Sequence, residues 1–171
     1  MKRSVFTRGA LGALSALALM AGASAALAER PVFPALTLTD LDGKAHALPK
    51  EWSGGNGVLI LGFAHDARVQ MDAWREALKL TPSDRWIEAP VVGNVSSLIQ
   101  PMIKAGMKGK YEGALRSHVT PVFDGADAVR DAVAPNDAKV VVLVLDGAGQ
   151  ILGRAEGAPS APLVASISAA R

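Results

Sequence analysis

A short polar segment that follows an apolar run is the first place in this chain where chemistry is conceivable. His65, Asp66 and Arg68 come directly after the run from Val58 to Phe63. A histidine can transfer protons near neutral pH, and an arginine beside the start of a helix can hold an anion. The segment therefore allows a small polar pocket of a non-thiol enzyme. The simpler interpretation, which we favour, is that Asp66 caps the following helix while the other two side chains are solvated.

Cysteine chemistry is excluded, because none of the 171 residues is a cysteine. The chain's own side chains therefore cannot provide a thiol–disulfide motif, a cysteine nucleophile or a thiolate metal site. The three histidines, His46, His65 and His118, are far apart in the sequence. Zinc ligands usually occur at short, characteristic spacings. We therefore expect neither a metal site nor a cofactor.

Two other catalytic motifs also fail. The glycine-rich loop from Ser53 to Gly57 precedes a strand and lacks the Lys-Ser/Thr ending, so it does not match a phosphate-binding loop. No Gly-x-Ser-x-Gly motif is present, which disfavours a serine hydrolase. The sequence therefore favours a protein without enzymatic activity, and the pocket at His65–Arg68 remains the enzymatic alternative.

Two further places could contact a partner. Trp52 borders the glycine loop, and a partly exposed tryptophan there would be a contact anchor, although packing in the core is the simpler interpretation. Met107 and Lys108 lie in the segment from Met102 to Tyr111, which mixes methionines and lysines. This segment is either a partner-binding or membrane-surface helix, or a core face with solvated lysines.

The N-terminus has the pattern of a secretory signal. Lys2, Arg3 and Arg8 precede an apolar stretch from Ala10 to Ala28 that ends in small residues. We predict a signal peptide over residues 1–28, with cleavage after Ala28 or, alternatively, after Ala25. An uncleaved membrane anchor is the other interpretation, since the apolar stretch is close to the length of a membrane span. The remaining residues, 29–171, suit one domain.

The charge balance of this mature part is close to neutral. Three of the 18 Lys and Arg residues belong to the predicted signal, which leaves 15 against 16 Asp and Glu residues. No basic face is indicated, so we do not expect nucleic-acid binding. No further segment is long and apolar enough to span a bilayer. We therefore predict a periplasmic protein whose mature chain has no transmembrane span.

The order of strand and helix patterns predicts the fold class. An alternating segment, Leu36 to Asp40, precedes an Asp-Gly turn and a second short strand, which is typical of a β-hairpin. Two unbroken apolar runs indicate strands that are buried on both faces. We predict an α/β sandwich, with a mixed central sheet, flanking helices and an N-terminal β-hairpin. The predicted core strands are Val58 to Phe63, Trp86 to Val92, Lys139 to Leu145 and Gln150 to Ala155. One predicted helix follows Asp66, with Val69 in its apolar stripe, and a second follows Ser97, with a capping box and Pro101 in its first turn. Further helices are predicted over 126–133 and 161–170, and a short strand over 119–123.

Several of these segments resemble a known superfamily. Phe33-Pro34 and Asp42-Gly43-Lys44 resemble the start of peroxiredoxins and periplasmic thioredoxin-like proteins, and Val144-Leu145-Asp146 with Gly149-Gln150-Ile151 resembles their terminal hairpin. The resemblance covers roughly residues 31 to 158 and implies a thioredoxin-like fold. In redox members of the superfamily the two cysteines would fall near Arg68 and Met71. Their absence implies that the fold has been kept without its redox chemistry.

A finer resemblance concerns one cysteine-poor branch. The strand end Leu61-Gly62-Phe63, Trp74, and the hairpin from Leu145-Asp146 to Ile151-Leu152 resemble the mitochondrial ATP-synthase assembly factor known as "ATP ten" and its bacterial relatives. This resemblance implies a chaperone of membrane-complex assembly. We therefore expect an exported, redox-inactive binding or assembly module for an envelope partner, with a purely structural role in an envelope complex as a further alternative.

Overall fold

The computed structural model describes residues 31–133, 135 and 137–171. The predicted signal peptide and both of its cleavage sites lie outside the described residues. Within the described part of the chain, no helix combines the length and the apolar character that crossing a membrane requires. The strands are β1 Leu36–Thr39, β2 Ala45–Leu48, β3 Gly57–Gly62, β4 Trp86–Pro90, β5 Val140–Leu145 and β6 Ile151–Glu156. The helices are α1 Arg68–Ala77, α2 Gln100–Lys108, α3 Ala126–Val133 and α4 Ala161–Ala170.

A four-stranded mixed sheet with the order β4-β3-β5-β6 forms the centre of the domain. β3 is parallel to β4 and antiparallel to β5, and β6 is antiparallel to β5. All six residues of β3 and all six of β5 are buried. Their apolar runs fit this position because both sheet faces are covered, as in other buried central strands. The predicted mixed sheet is therefore confirmed.

The two faces of the sheet pack against different layers. On one face Leu61 and Leu143 contact the cluster that contains Trp52 and the buried side of α3. On the other face Ile60 and Val142 belong to a cluster with side chains of α1 and α4. Side chains alternate between the two faces because successive residues of a strand point to opposite sides. The predicted α/β sandwich is thus confirmed.

The N-terminal hairpin is closed by a buried carboxylate. β1 and β2 pair antiparallel, with Thr39 opposite Ala45. The Asp40 side chain accepts hydrogen bonds from the amides of Asp42, at 2.9 Å, and Lys44, at 2.8 Å. Gly43 adopts a φ of 95°, which glycine reaches without steric cost. The turn predicted from the Asp-Gly pair is confirmed.

The start of α1 differs from the prediction. The helix begins at Arg68 after Ala67, and no side chain caps it. Asp66 does not bond to the helix amides, because its carboxylate pairs with Lys139 Nζ at 2.5 Å. The predicted apolar stripe is wrong at Val69, which is 77% exposed. The predicted stripe is confirmed at Met71 and Trp74, which are the buried residues of this helix.

The region around α2 also contains two corrections. The capping box predicted at Ser97 is wrong, because α2 begins at Gln100 after Ile99 and lacks a side-chain cap. Pro101 lies in the first turn, as predicted. The short strand predicted at 119–123 is reduced to two isolated parallel bridges, Glu88 with Val119 and Val91 with Val122.

Candidate functional site

The candidate site lies where the two parallel strands of the sheet end. Gly62 and Pro90 are the last residues of β3 and β4 and are register partners. The carboxyl ends of the two strands therefore meet at one edge of the sheet, which is the usual ligand position in open α/β sheets. The loop after β3 contains His65, and it faces α2 across this edge.

A groove opens at this edge. It consists of two adjoining cavities of about 110 Å³ and 560 Å³. We call the two cavities together the β3–β4 groove, and six residues line both of them. These are Gly62, Ala64, His65, Pro90, Met107 and Lys110.

The groove unites residues that the sequence placed on two separate surfaces. His65 and Arg68, from the loop after β3 and the first residue of α1, line it together with Met107 of α2. Two further basic residues line the groove. Lys110 follows α2 and belongs to the segment from Met102 to Tyr111 that was singled out in the sequence, whereas Arg130 belongs to α3 and was not identified from the sequence. Arg130 reaches the groove only through the fold, so no local sequence pattern predicts it.

Basic side chains line the groove. They are the cationic Arg68, Lys110 and Arg130, together with His65, and none of the described residues that line either cavity is an aspartate or a glutamate. Residues 29–171 as a whole are nearly neutral, with 15 Lys and Arg residues against 16 Asp and Glu residues. The groove is therefore a local concentration of positive charge that would attract an anionic group.

Apolar side chains form the remaining lining of the larger cavity. Phe63, Val91 and Ile103 contribute to it. The Arg130 guanidinium lies 5.4 Å from the centre of the Phe63 ring, which is within the range of a cation–π contact. The site thus combines an apolar lining with basic groups, and it suits a ligand that has both characters.

Arg68 is held in place by three neighbours. Its Nη2 donates to the Lys110 carbonyl at 2.9 Å, and its guanidinium lies 5.0 Å from the centre of the Tyr111 ring. Its Nε is 3.6 Å from the Asp72 carboxylate. Arg68 therefore joins the start of α1 to the segment after α2, and it helps to shape the groove as well as to charge it.

His65 lacks the partner that an acid/base catalyst usually has. Its side chain is exposed and makes no hydrogen bond to any of the described residues. Catalytic bases are generally oriented by a third group. The groove therefore offers positive charge, but it does not present an oriented proton-transfer group.

Three residues predicted as binding residues lie outside the groove. Asp66 pairs with Lys139, and the hydrogen bond from Lys139 lowers the pKa of Asp66. The Lys108 Nζ is 3.1 Å from Asp42 Oδ1. Trp52 is 3% exposed and belongs to a core cluster. The interpretation of Trp52 as an exposed contact anchor is therefore wrong, and the core interpretation is confirmed.

A buried ionic network lies on the α1 side of β4 and was missed in the sequence. Glu88 is 0% exposed. Its Oε1 accepts a hydrogen bond from Arg75 Nη1 at 2.7 Å, and the same nitrogen is 2.8 Å from Asp72. The other oxygen, Oε2, has no hydrogen-bond partner among the described residues. Burial raises the pKa of Glu88 to about 7, although the charge of Arg75 acts in the opposite direction. A glutamate inside the predicted strand from Trp86 to Val92 was the available signal.

A separate cluster of one histidine and two acidic residues connects the hairpin to the short 3₁₀ helix Lys50–Trp52. His46 Nε2 is 3.1 Å from Asp40 Oδ2, and its Nδ1 is 3.1 Å from both carboxylate oxygens of Glu51. Burial raises the pKa of Asp40, but the hydrogen bonds from His46 and the two turn amides outweigh it and lower that pKa. His46 lines a cavity of about 330 Å³ together with His118, which stacks on Trp86. Within the described ranges, no group of three or more His, Cys, Asp or Glu residues could hold a metal ion.

No known family profile matches the chain, and no curated protein matches it. Several solved structures, in contrast, are similar to it. A proposed electron transfer protein from Aquifex aeolicus superposes with a TM-score of 0.57 and 19% identity, covering 82% of this chain and 97% of that one. BsSco, a member of the Sco family of cytochrome c oxidase assembly proteins, gives a TM-score of 0.55 and 15% identity, with 83% and 92% coverage. The exposed lipoprotein thioredoxin of Streptococcus pneumoniae gives 0.53 and 13% identity, with 78% and 95% coverage.

These identities are low, so the similarities concern the fold. They extend over nearly the whole length of each solved structure. The finer resemblance to the ATP-synthase assembly factor finds no support among these structures. Together with the sheet order β4-β3-β5-β6, the similarities show that this cysteine-free chain has a thioredoxin-like fold.

Proposed function

We propose that the protein is an exported, redox-inactive binding or assembly module, and that the β3–β4 groove receives a segment of an envelope protein. One observation carries this proposal. The groove at the ends of the two parallel strands has four basic side chains and an apolar lining, without a carboxylate among the described residues that line it. Such a site attracts an anionic and partly apolar segment.

Export and redox inactivity rest on separate observations. The predicted signal peptide over residues 1–28 argues for the periplasm, and one structural neighbour is an exposed lipoprotein. Another neighbour belongs to a family of assembly proteins for cytochrome c oxidase, which supports an assembly role by analogy. The lack of cysteine removes thiol chemistry from this chain. An ATP-synthase complex as the partner rests only on the finer sequence resemblance.

The lining indicates what the bound segment contains. Lys110 and Arg130 would pair with aspartate, glutamate or a terminal carboxylate of the partner. Ile103 and Phe63 would contact apolar side chains of the same segment. A cavity of about 560 Å³ is of the size that holds a small ligand or a few side chains. We therefore expect a short acidic and apolar stretch to enter the groove. The non-thiol enzyme is less well supported, because His65 has no orienting partner in the described structure.

The absence of cysteine allows a site-specific test. A single Ile103→Cys substitution provides a thiol to which a photoreactive maleimide can be attached inside the groove. Lys108→Cys allows the same label to be attached on the same helix, outside both cavities. We expect position 103 to crosslink to a discrete envelope protein when envelope extract is illuminated, and position 108 to give much less product.

A charge reversal then tests the role of the basic groups. Lys110→Glu should lower the crosslinking yield from position 103, because it introduces repulsion toward an acidic segment. Lys108→Glu is the matched change at a lysine that pairs with Asp42 outside the groove, and it should leave the yield unchanged. Equal yields from positions 103 and 108, or equal effects of the two reversals, would contradict the proposal.

A further inference from the structure

A buried glutamate lies close to the β3–β4 groove without lining it. Glu88 precedes Pro90, a groove residue, by two positions on β4. Its side chain is 0% exposed, and its Oε2 has no hydrogen-bond partner among the described residues. Burial raises the pKa of Tyr111, which lines the smaller cavity, and the nearby Glu88 charge raises that pKa further. Glu88 is therefore an ionisable group whose charge reaches the lining of the groove.

A series of ionic contacts also joins Glu88 to Arg68, which lines the smaller cavity. Arg75 Nη1 is 2.7 Å from Glu88 Oε1 and 2.8 Å from Asp72 Oδ1. Asp72 Oδ2 is in turn 3.6 Å from Arg68 Nε. With Glu88 ionised, the two acids balance the two arginines of this series, whereas with Glu88 protonated one positive charge is not balanced. The protonation state of Glu88 therefore changes the charge beside the groove.

The groups around Glu88 place its titration near neutral pH. The side chains that act most strongly on its carboxyl are those of Arg75, Asp72 and Tyr111. The neighbouring strand β3 has no ionisable residue. The 3₁₀ helix Gly113–His118 also contacts β4, and its Arg116 and His118 donate hydrogen bonds to main-chain carbonyls. Burial outweighs the charge of Arg75 and raises the pKa of Glu88 to about 7.

We propose that protonation of Glu88 controls how strongly the β3–β4 groove binds an anionic segment, with tighter binding when Glu88 is neutral. This inference rests on the proposed function, because it concerns the same groove and the same kind of ligand. A negative charge beside the groove weakens its attraction for an anion, and the protein interior screens that effect less than water does. Conversely, a bound anion opposes the ionisation of Glu88, so binding is accompanied by proton uptake. A rise in pH through neutrality therefore favours release of the segment.

A cysteine in the groove can report this charge without a partner protein. Met107→Cys provides the thiol, since Met107 lines both cavities and the chain has no other cysteine. The probes are iodoacetate and iodoacetamide, which are similar in size, and of which only iodoacetate is anionic. Both react with the same thiolate, so the thiolate fraction cancels in the ratio of their rates, and the ratio measures the local potential. His65→Asn is included in every chain, so that no imidazole in the groove contributes to the pH dependence.

We expect the ratio of the iodoacetate rate to the iodoacetamide rate to fall about two- to fourfold at low salt as pH rises from about 6 to about 8. Adding Glu88→Gln should hold the ratio at its low-pH value throughout, because the amide cannot ionise. Glu76→Gln, at an exposed glutamate of α1, is the matched control and should retain the fall.

Two results would overturn the inference. One is a flat ratio in the chain that keeps Glu88, which decides the matter whether or not the Glu88→Gln chain folds. The other is the same fall with and without Glu88→Gln. Crosslinking from position 103 together with a flat ratio would overturn this inference alone. A pH-dependent ratio that Glu88→Gln abolishes, without crosslinking at any pH, would contradict the proposed partner and support the control of the groove charge by Glu88.

Discussion

At the scale of single residues, Glu88 shows burial competing with ionic pairing. Its side chain is fully buried and bonds to Arg75 at 2.7 Å through one oxygen only. Removing a carboxylate from water favours its neutral form, and a nearby guanidinium favours the charged form. Burial is the larger influence here, so the pKa rises from 4.5 to about 7. The network therefore reduces stability at neutral pH relative to mildly acidic pH.

The first prediction concerns Glu88→Gln and the pH dependence of stability. Because the folded pKa of Glu88 exceeds its unfolded value, the folded state binds more protons between pH 4.5 and about 7. The contribution of this group to the free energy of unfolding therefore falls as pH rises through that window, by about 3 kcal/mol as an order of magnitude. The amide of the Glu88→Gln variant cannot titrate, so this slope should disappear. Thermal melts from pH about 5 to about 8 measure the difference.

Glu76→Gln is the matched control for this prediction, because Glu76 is exposed on α1. It should leave the pH dependence of the melting temperature unchanged. Arg75 keeps an ionic partner in the Glu88→Gln variant, since Asp72 is 2.8 Å away. The assignment of the raised pKa to Glu88 would be contradicted by parallel pH profiles for Glu88→Gln and the unmodified protein.

A second residue-scale prediction concerns the carboxylate inside the hairpin turn. Asp40→Ala removes the acceptor of the Asp42 and Lys44 amides and of His46. Buried donors that lose their acceptor cost about 1–3 kcal/mol, so we expect a loss of that size in the free energy of unfolding. Asp42→Ala, in the same turn, removes only an exposed pair with Lys108 and should cost less than about 1 kcal/mol. Urea denaturation compares them, and equal losses would refute the buried role of Asp40.

At the scale of elements, glycine has opposite effects at the start of β3 and inside α2. A Cβ atom at Gly57 would lie 2.1 Å from Trp52 Cδ2, so Gly57→Ala must displace the buried indole. Overpacking of this kind costs about 1–3 kcal/mol. A Cβ at Gly106 meets nothing within 4 Å, so Gly106→Ala should stabilise the helix by about 1 kcal/mol. Melting temperatures measure both changes, and the same sign for the two variants would contradict this account.

The sequence predicted whole elements better than their ends. The apolar runs located β3 and β5 to within a residue or so, and α3 and α4 have their predicted bounds. The predicted capped starts of α1 and α2 are wrong, because whether a side chain caps a helix depends on which partner it contacts in the folded chain. Asp66 finds Lys139, 73 positions away. Sequence patterns record propensity, whereas this ion pair depends on tertiary contact.

The site was predictable only in part for the same reason. His65 and Arg68 could be placed from the strand that precedes them, and Met107 from its own segment. Their shared groove and the contribution of Arg130 from α3 require the folded arrangement. Trp52 was ambiguous because its burial depends on Gly57, which lacks a side chain where the indole packs.

At the scale of the whole molecule, β3 and β5 are shared by both cores. Leu59, Leu61 and Leu143 contribute to the cluster on one face, and Ile60 and Val142 to the cluster on the other. Disruption of β3 or β5 would therefore expose apolar side chains of both layers. We therefore expect the two layers to unfold together, since small single domains usually unfold in one cooperative transition.

The last prediction tests this coupling from both faces of the sheet. Leu61→Asp and Val142→Asp each place a carboxylate at a 0% exposed position, on opposite faces. An unpaired buried charge costs several kcal/mol, which is comparable with the whole stability of a domain, about 5–15 kcal/mol. Each variant should therefore lose the tertiary structure of both layers, seen as loss of near-ultraviolet circular dichroism and of amide protection throughout α1, α3 and α4. Thr37→Asp, at an exposed position of β1, is the control and should melt close to the unmodified protein. If Leu61→Asp left α1 and α4 protected, or Val142→Asp left α3 protected, the layers would be independent and the shared-strand account would be wrong.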